Sequence, residues 1–163
     1  MIVISDTSPI INLAIIGHLD LLPKIFGKVI IPDAVFEEIT ITGKGMPGAE
    51  EIQNADWIEV KECTNQLLLK SLSLIIDKGE AEAICLSIEI KSDLLLIDER
   101  LGRQVAKDYQ LNILGLLGLI RQAKIKKLIP QVKPLLDQLI NDAGFRVSKE
   151  LYIEILKSVD ELS

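Results

Sequence analysis

Short apolar runs alternate with longer helical patterns along the chain, beginning with Ile2-Val3-Ile4. The short runs are rich in Ile, Val or Leu and end at a polar or turn residue, and they predict β-strands at 2–5, 29–31, 58–60, 94–97 and 112–115. Apolar residues at helical spacing predict helices at 10–16, 33–41, 49–55, 64–76, 79–91, 100–108, 116–124, 131–142 and 148–160. This alternation is typical of an α/β fold whose mostly parallel sheet is covered by helices on both faces.

The α/β pattern ends near Gly144, and a last helical pattern follows it. A chain of 163 residues fits one domain with a short addition. We therefore predict an α/β domain over 1–143 and a C-terminal helical appendage over 144–163. The appendage carries apolar residues at helical spacing, which suit packing on the core or a homodimer interface. These residues are Leu151, Ile155, Val159 and Leu162.

Hydrophobic residues make up 48% of the chain and charged residues 26%, which is the balance of a compact folded protein. Uncharged stretches fall short of the ~20 residues that a membrane helix needs, and the first residues lack the pattern of a signal peptide, so we expect a cytoplasmic protein. The single histidine, His18, argues against a zinc enzyme of the usual kind. Cys63 and Cys85 lie far apart in the sequence and do not suggest a disulfide bond.

Acidic residues follow two of the predicted strands. Asp6 comes after the first strand, and Asp98 and Glu99 come after the fourth. The carboxyl ends of parallel strands share one edge of a sheet, and ligands bind there at the point where the strand order reverses. If the two strands are neighbours, their carboxylates converge, and converging carboxylates repel one another unless a cation shares the site.

Two further acidic positions fall on the inner side of predicted helices. Glu38 borders the apolar face of the 33–41 helix, and Glu80 lies near the start of the 79–91 helix on its buried side. Ligand sets made only of oxygen suit Mg²⁺ or Mn²⁺. Two such ions can activate a water molecule and stabilise the leaving oxygen in phosphodiester cleavage.

In combination and order, these motifs resemble a PIN domain. The motifs are Asp6-Thr7-Ser8, Val35-x-x-Glu38-Ile39, Gly79-Glu80-Ala81-Glu82-Ala83-Ile84, Leu95-Leu96-Ile97-Asp98-Glu99-Arg100 and Arg103-x-x-Ala106. The similarity extends to about residue 142, with a tail as in a little-characterised PIN-like subfamily. It implies a three-layer α/β/α fold with a five-stranded parallel sheet and Mg²⁺- or Mn²⁺-dependent cleavage of single-stranded RNA. It often implies a toxin role with a small antitoxin partner.

The resemblance also assigns roles to residues. Asp6 matches the first metal ligand, Glu38 the second acidic residue and Glu80 the third, where Glu82 competes with it. The last acidic position falls on Asp98 or Glu99, and Thr7 and Ser8 are placed to orient ligands or a phosphate. PIN nucleases more often have Asp at the third and last positions, so a second hypothesis is a catalytically degenerate PIN module that binds RNA or a protein partner without cleavage.

A third hypothesis is a phosphatase of the haloacid-dehalogenase type, which also has an Asp after its first strand. That class needs a second Asp two residues later, where this chain has Ser8. Structural explanations stay open for single residues as well. Asp6 suits a helix cap, Glu80 suits the first turn of a helix, and Glu38 suits a solvated helix face.

Basic residues are candidates for contacts to an RNA backbone, although the net charge of −6 restricts them to a local face. A solvated helix face is the alternative for them. Since aromatic residues are only 4% of the chain, we expect RNA contacts to be mainly electrostatic. The candidates are Arg100, Arg103, Arg121, Lys124, Lys126, Lys127 and Lys133.

Overall fold

A five-stranded, entirely parallel sheet forms the middle of the computed structural model, which describes residues 1–162. The strands are β1 (Val3–Ser5), β2 (Val29–Pro32), β3 (Ile58–Lys61), β4 (Leu94–Leu96) and β5 (Ile113–Leu114). Their spatial order is β3-β2-β1-β4-β5. The predicted α/β fold with a five-stranded parallel sheet is confirmed, and the strand order reverses between β1 and β4, which pair directly.

Helices connect the strands and cover both faces of the sheet, which gives three layers. They are α1 (Thr7–Ile15), α2 (Leu21–Phe26), α3 (Asp33–Glu37), α4 (Ala49–Asn54), α5 (Gln66–Ser73), α6 (Lys78–Glu89), α7 (Arg100–Asp108), α8 (Leu116–Ile125), α9 (Lys133–Asn141) and α10 (Lys149–Ser158). A π-helical turn, Glu38–Thr42, continues directly from α3.

Alternate residues of each central strand enter two separate apolar cores. Val3 of β1 packs in the core formed with α1, α2, α8, α9 and α10, while its neighbour Ile4 packs in the core formed with α5, α6 and α7. Helix α6 is buried on all sides, from Gly79 through Ser87. A helix enclosed in this way has no solvent face, which explains its many small residues.

Several helix predictions differ from the structure. Helix α1 begins at Thr7, directly after β1, and not at residue 10. Helix α2 was not predicted, because it is short and contains Pro23, which a first turn tolerates. The predicted 64–76 helix ends at Ser73, and Leu74 beyond it is 89% exposed, so the apolar spacing extends further than the helix does.

The C-terminal helix α10 packs on the same core as α8 and α9. Ile155, Leu156 and Val159 are buried there, while Leu151 and Leu162 are about 40% exposed. Two of the four residues that we predicted for a dimer interface are therefore covered within the chain. The division into 1–143 and 144–163 stays a prediction.

Cys63 and Cys85 form a disulfide bond, with their Cα atoms 6.4 Å apart. This corrects the expectation from the sequence. The two residues are 22 positions apart, but the segment after β3 runs beside α6 and brings them together. Within residues 1–162, no helix is both long enough and apolar enough to cross a membrane.

Candidate active site

Asp6 lies at the carboxyl end of β1, in the middle of the sheet. It occupies the N-cap position of α1, but its side chain makes no capping hydrogen bond to the described chain, and the residue is only 5% exposed. Burial raises the pKa of Asp6 to about 7; the nearby Thr7 amide opposes this, and the charges of Asp77, Glu38 and Asp98 add to it. A helix-capping role, which the sequence allows for Asp6, therefore does not explain why its carboxylate is buried here.

Glu80 lies in the first turn of α6 and is 5% exposed. Its Oε2 atom is buried and has no hydrogen-bond partner among residues 1–162. Burial and the neighbouring Asp77, Asp6 and Glu99 raise the pKa of Glu80 to about 9. A buried carboxylate oxygen without a partner is costly, so the position requires a proton or a cation.

Asp77 is a functional candidate that the sequence analysis missed. Its Oδ1 atom accepts a 2.8 Å hydrogen bond from the Glu80 amide and caps α6. Its side chain also lines the cavity that Glu80 enters. The signal was present in the sequence, because an Asp three residues before a Glu at the start of a helix is typical of an N-terminal cap.

Asp98 and Glu99 follow β4 and use their oxygens differently. Asp98 Oδ1 accepts a 2.7 Å hydrogen bond from the Leu116 amide, while its Oδ2 is buried without a partner in the described structure. Burial raises the pKa of Asp98 against the opposing effects of Leu116 and Arg103. Glu99 caps α7, since its Oε2 accepts a 2.8 Å hydrogen bond from the Gly102 amide. Asp98 therefore keeps one buried oxygen for a ligand.

Glu38 opens the π-helical turn and lies at the mouth of the site. The residue is exposed, and its Oε2 accepts a 2.8 Å hydrogen bond from Thr7 Oγ1. The Ser8 hydroxyl accepts a 3.1 Å hydrogen bond from Asn12. Turns of π-helix are frequent at functional sites, where they change the direction of a side chain.

A cavity of about 1030 Å³ joins these residues at the carboxyl edge of the sheet. Its walls include all five acidic residues of the predicted site, together with Asp77. No three of these carboxylates bring oxygens within 4.8 Å of one another in the part of the chain that is described. The predicted site residues that line it are Asp6, Thr7, Ser8, Glu38, Glu80, Asp98, Glu99 and Arg100.

Two glycines allow the helix ends to approach the carboxylates. A Cβ atom at Gly79 would lie 3.1 Å from Glu38 Oε2 and 3.5 Å from Asp6 Oδ1. A Cβ atom at Gly102, in the first turn of α7, would collide with Glu80 Oε2. The amino ends of α6 and α7 carry partial positive charge, which favours the nearby carboxylates.

The structure separates the two competing glutamates of α6. Glu82 does not line the cavity; its Oε1 accepts a 3.1 Å hydrogen bond from the Ala34 amide at the start of α3. Glu82 is 7% exposed and holds α3 against α6. Glu80 is therefore the one that enters the cavity.

The predicted basic residues do not all lie near the acidic cavity. Arg100 lines it, and Arg103 lines an adjoining cavity. Lys124 pairs with Glu161 at 2.7 Å and donates to the Val159 carbonyl, so its charge is used within the fold.

Lys126 and Lys127 follow the end of α8, and neither lines the acidic cavity or the adjoining one. The basic candidates from the sequence end at Lys133 and so do not include Arg146, which lines both cavities.

A second compact group of potential ligands lies away from the cavity. Cys63 Sγ, Cys85 Sγ and a Glu89 carboxylate oxygen lie within 4.8 Å of one another. The two sulfur atoms are bonded to each other, and Glu89 accepts hydrogen bonds from the Thr64 and Asn65 amides. These bonds give the group a structural role at the start of α5.

Comparison with known proteins gives one family. The family model DUF3368, described as a PIN domain, matches residues 2–161. The match includes most of the predicted C-terminal appendage as well as the sheet. No curated protein matches the chain.

Proposed function

The chain belongs to the PIN-domain family, and from that premise we propose that it is a metal-dependent ribonuclease that cleaves single-stranded RNA. PIN domains are typically nucleases and generally use divalent metals. The observation that carries the proposal is a pair of buried carboxylate oxygens, Glu80 Oε2 and Asp98 Oδ2, which have no hydrogen-bond partner in the described chain. Both residues line the same cavity as Asp6. The family match favours this function over a phosphatase.

The residues of the cavity fit a hard divalent cation. All candidate ligand atoms are carboxylate oxygens, the type that Mg²⁺ and Mn²⁺ prefer, and both ions usually keep some of their water. We assign Asp6, Glu80 and Asp98 to the ion, with Glu38 and Glu99 at the rim reaching it directly or through water. When bound, the ion supplies Lewis-acid activation of water and charge stabilisation for phosphodiester cleavage.

The chain's own hydrogen bonds orient these carboxylates before any substrate enters. Thr7 holds Glu38, the Leu116 amide holds one oxygen of Asp98, and the Gly102 amide holds one oxygen of Glu99. Groups fixed in this way need little rearrangement when charge develops during the reaction. In the proposed site, the remaining oxygens of Asp98 and Glu80 face the reacting region.

The test is cleavage of a labelled single-stranded RNA by the purified protein with Mn²⁺ or Mg²⁺. We expect cleavage that a chelator stops and that Asp6→Asn lowers by about 100-fold or more. Glu37→Gln is the control, because this exposed residue adjoins Glu38 in sequence but does not line the cavity. Full activity in a folded Asp6→Asn protein would contradict the assignment.

A second candidate function is a PIN module that binds RNA without cutting it. The observation in its favour is that the carboxylates lie apart: in the described chain, no three of them bring oxygen atoms within 4.8 Å of one another. This function would be supported by a protein that binds RNA but does not cleave it, although Mn²⁺ raises its melting temperature. The rise in melting temperature shows that the ion is bound, so a missing metal would not explain the lack of cleavage. The toxin role, the small antitoxin and the homodimer stay predictions.

A further inference from the structure

All four arginines of the chain lie at two adjoining cavities. Arg100 and Arg146 line the acidic cavity, and Arg103, Arg121 and Arg146 line the second cavity. No lysine lines either one within residues 1–162, although lysine is the commoner basic residue of the chain. Arginine and lysine are not equivalent here, because the planar guanidinium binds a phosphate through two parallel hydrogen bonds.

The second cavity has a volume of about 480 Å³ and continues directly from the acidic one. The two share Asp98, Phe145 and Arg146 in their walls. Apolar side chains of α8 and α10, including Leu117 and Ile155, form much of the rest. An apolar pocket with a few charged groups at its border is typical of a ligand site.

The arginines of this cavity have no carboxylate partner. Among the described residues, none of them forms an ion pair, while four lysines of the chain do. Arg103 donates to the Ile97 carbonyl at 2.9 Å, and Arg121 donates to the Ser158 hydroxyl at 3.1 Å. These bonds fix two guanidinium groups. The charge of Arg103 acts on the nearby Asp98 and lowers its pKa against the effect of burial, whereas Arg121 forms no ion pair among the described residues.

The connection between α9 and α10 presents an aromatic ring at the border of the two cavities. Gly144, three residues after the end of α9, has a φ of +69°, and the Phe145 amide donates to the Leu139 carbonyl at 2.9 Å. Glycine adopts a positive φ at little cost, so the chain makes a turn here. It places the half-buried Phe145 and the exposed Arg146 in the shared wall.

We propose that the second cavity binds the nucleotide next to the cleaved phosphate of single-stranded RNA. Arg121 and Arg146 bind its backbone phosphate, and its base packs on Phe145. The combination of guanidinium groups, an aromatic ring and an apolar floor fits a nucleotide, which carries both an anionic and a flat apolar part. The proposal rests on the proposed function, because it takes the acidic cavity as the place of cleavage.

The test measures binding without cleavage. A fluorescent eight-nucleotide single-stranded RNA is titrated with the full-length protein in chelator, and anisotropy gives the Kd. We expect Arg121→Ala and Arg146→Ala each to raise Kd by about fivefold or more and to make the salt dependence of binding less steep. Lys70→Ala is the matched control, because it also removes one exposed positive charge but lies outside both cavities, and it should change Kd by less than about twofold.

Phe145→Leu tests the base contact separately. It keeps an apolar side chain but removes the stacking surface, so it should weaken binding of the RNA and leave binding of an abasic ribose-phosphate chain of equal length unchanged. Melting temperatures show that each variant is folded. Equal effects on both ligands would overturn the placement of the base.

The outcomes separate this proposal from the ribonuclease proposal. The nucleotide site would be overturned if the wild-type protein did not bind RNA. It would also be overturned if the arginine variants bound RNA as well as Lys70→Ala does, and an acidic segment of a protein partner would then become the candidate occupant. If the wild-type protein cleaves RNA but Arg121→Ala and Arg146→Ala bind it normally, only the ribonuclease proposal is supported. If RNA binding depends on the arginines but no cleavage occurs, only the nucleotide-site proposal is supported.

Discussion

Glu80 and Glu82 are two positions apart on α6, yet their carboxylates serve different parts of the molecule. We expect Glu80→Gln to lower metal-dependent RNA cleavage by about 100-fold or more, because it removes a charged ligand from the cavity. Glu82→Gln should stay within about threefold of wild type, since Glu82 only accepts a hydrogen bond from the Ala34 amide and glutamine also accepts one. Initial cleavage rates at saturating Mn²⁺ compare the two. A larger loss in Glu82→Gln would reverse the assignment.

The raised pKa values of Asp6 and Glu80 predict how stability depends on pH without metal. The unfolded chain releases these protons near the ordinary values of 3.8 and 4.5, whereas the folded chain holds them to about 7 and about 9. The contribution of these two groups to stability is therefore largest below pH ~4, falls as pH rises through 7 and on towards 9, and then levels off. At about 1.4 kcal/mol for each pKa unit, Asp6 alone lowers the free energy of unfolding by as much as about 4 kcal/mol.

The measurement is the melting temperature in chelator between pH 5 and pH 8. Wild type should melt lower as pH rises, and Asp6→Asn should melt higher than wild type at pH 7.5 because it removes a buried charge. Mn²⁺ should raise the wild-type melting temperature more at pH 8 than at pH 5, since ionised carboxylates bind it. A melting temperature that is independent of pH in chelator would contradict these expectations.

The sequence could name most of the site but could not distinguish neighbouring acidic residues. Helix α6 is buried on all sides, so the spacing of its apolar residues does not show which of Glu80 and Glu82 faces the cavity. Asp98 and Glu99 follow the same strand, and only their hydrogen bonds to Leu116 and Gly102 separate them. The bond from Leu116 to Asp98 joins residues 18 positions apart, so no local pattern encodes it. The bond from Gly102 to Glu99 is a local helix cap, but the pattern does not show that the cap uses Glu99 and leaves Asp98 for the cavity.

The close packing of α7 against α6 depends on one glycine and the length of one side chain. We predict that Gly102→Ala lowers cleavage by about tenfold or more, because the added methyl group would displace the Glu80 carboxylate. Combining Gly102→Ala with Glu80→Asp should restore part of the rate lost by Gly102→Ala, since the shorter side chain leaves room for the methyl group. The double-mutant cycle on cleavage rates measures this coupling. Strictly additive losses would show that the two residues do not compete for space.

At the level of elements, strands were predicted more accurately than helices. All five predicted strands exist: four contain a short apolar run, and β3 alternates apolar and charged residues in Ile58-Glu59-Val60-Lys61. The 33–41 helix becomes π-helical from Glu38, the residue whose side chain accepts a hydrogen bond from Thr7. The sequence pattern of a π-turn does not differ from that of an α-helix.

For the whole molecule, the C-terminal segment connects the site to the core. Arg146 and Phe145 reach the cavities from the α9–α10 connection, and α10 closes the apolar core beneath them. Near the end of the chain, Glu161 accepts hydrogen bonds from the Val132 and Lys133 amides and pairs with Lys124. From these contacts we predict that residues after Gly144 fold together with the sheet.

A matched pair of substitutions in α10 tests whether the segment is part of one cooperative unit. Leu156 is 2% exposed and lies in the core, so Leu156→Ala should lower the free energy of unfolding by about 2–5 kcal/mol. Leu151 is 39% exposed on the same helix, and Leu151→Ala should cost less than about 1 kcal/mol. Urea unfolding followed by circular dichroism should show one transition that Leu156→Ala moves as a whole. Leu156→Ala could instead show a separate transition at lower urea concentration while the main transition stays unchanged. Residues 144–163 would then be an independent appendage, because segments that fold as one unit unfold together.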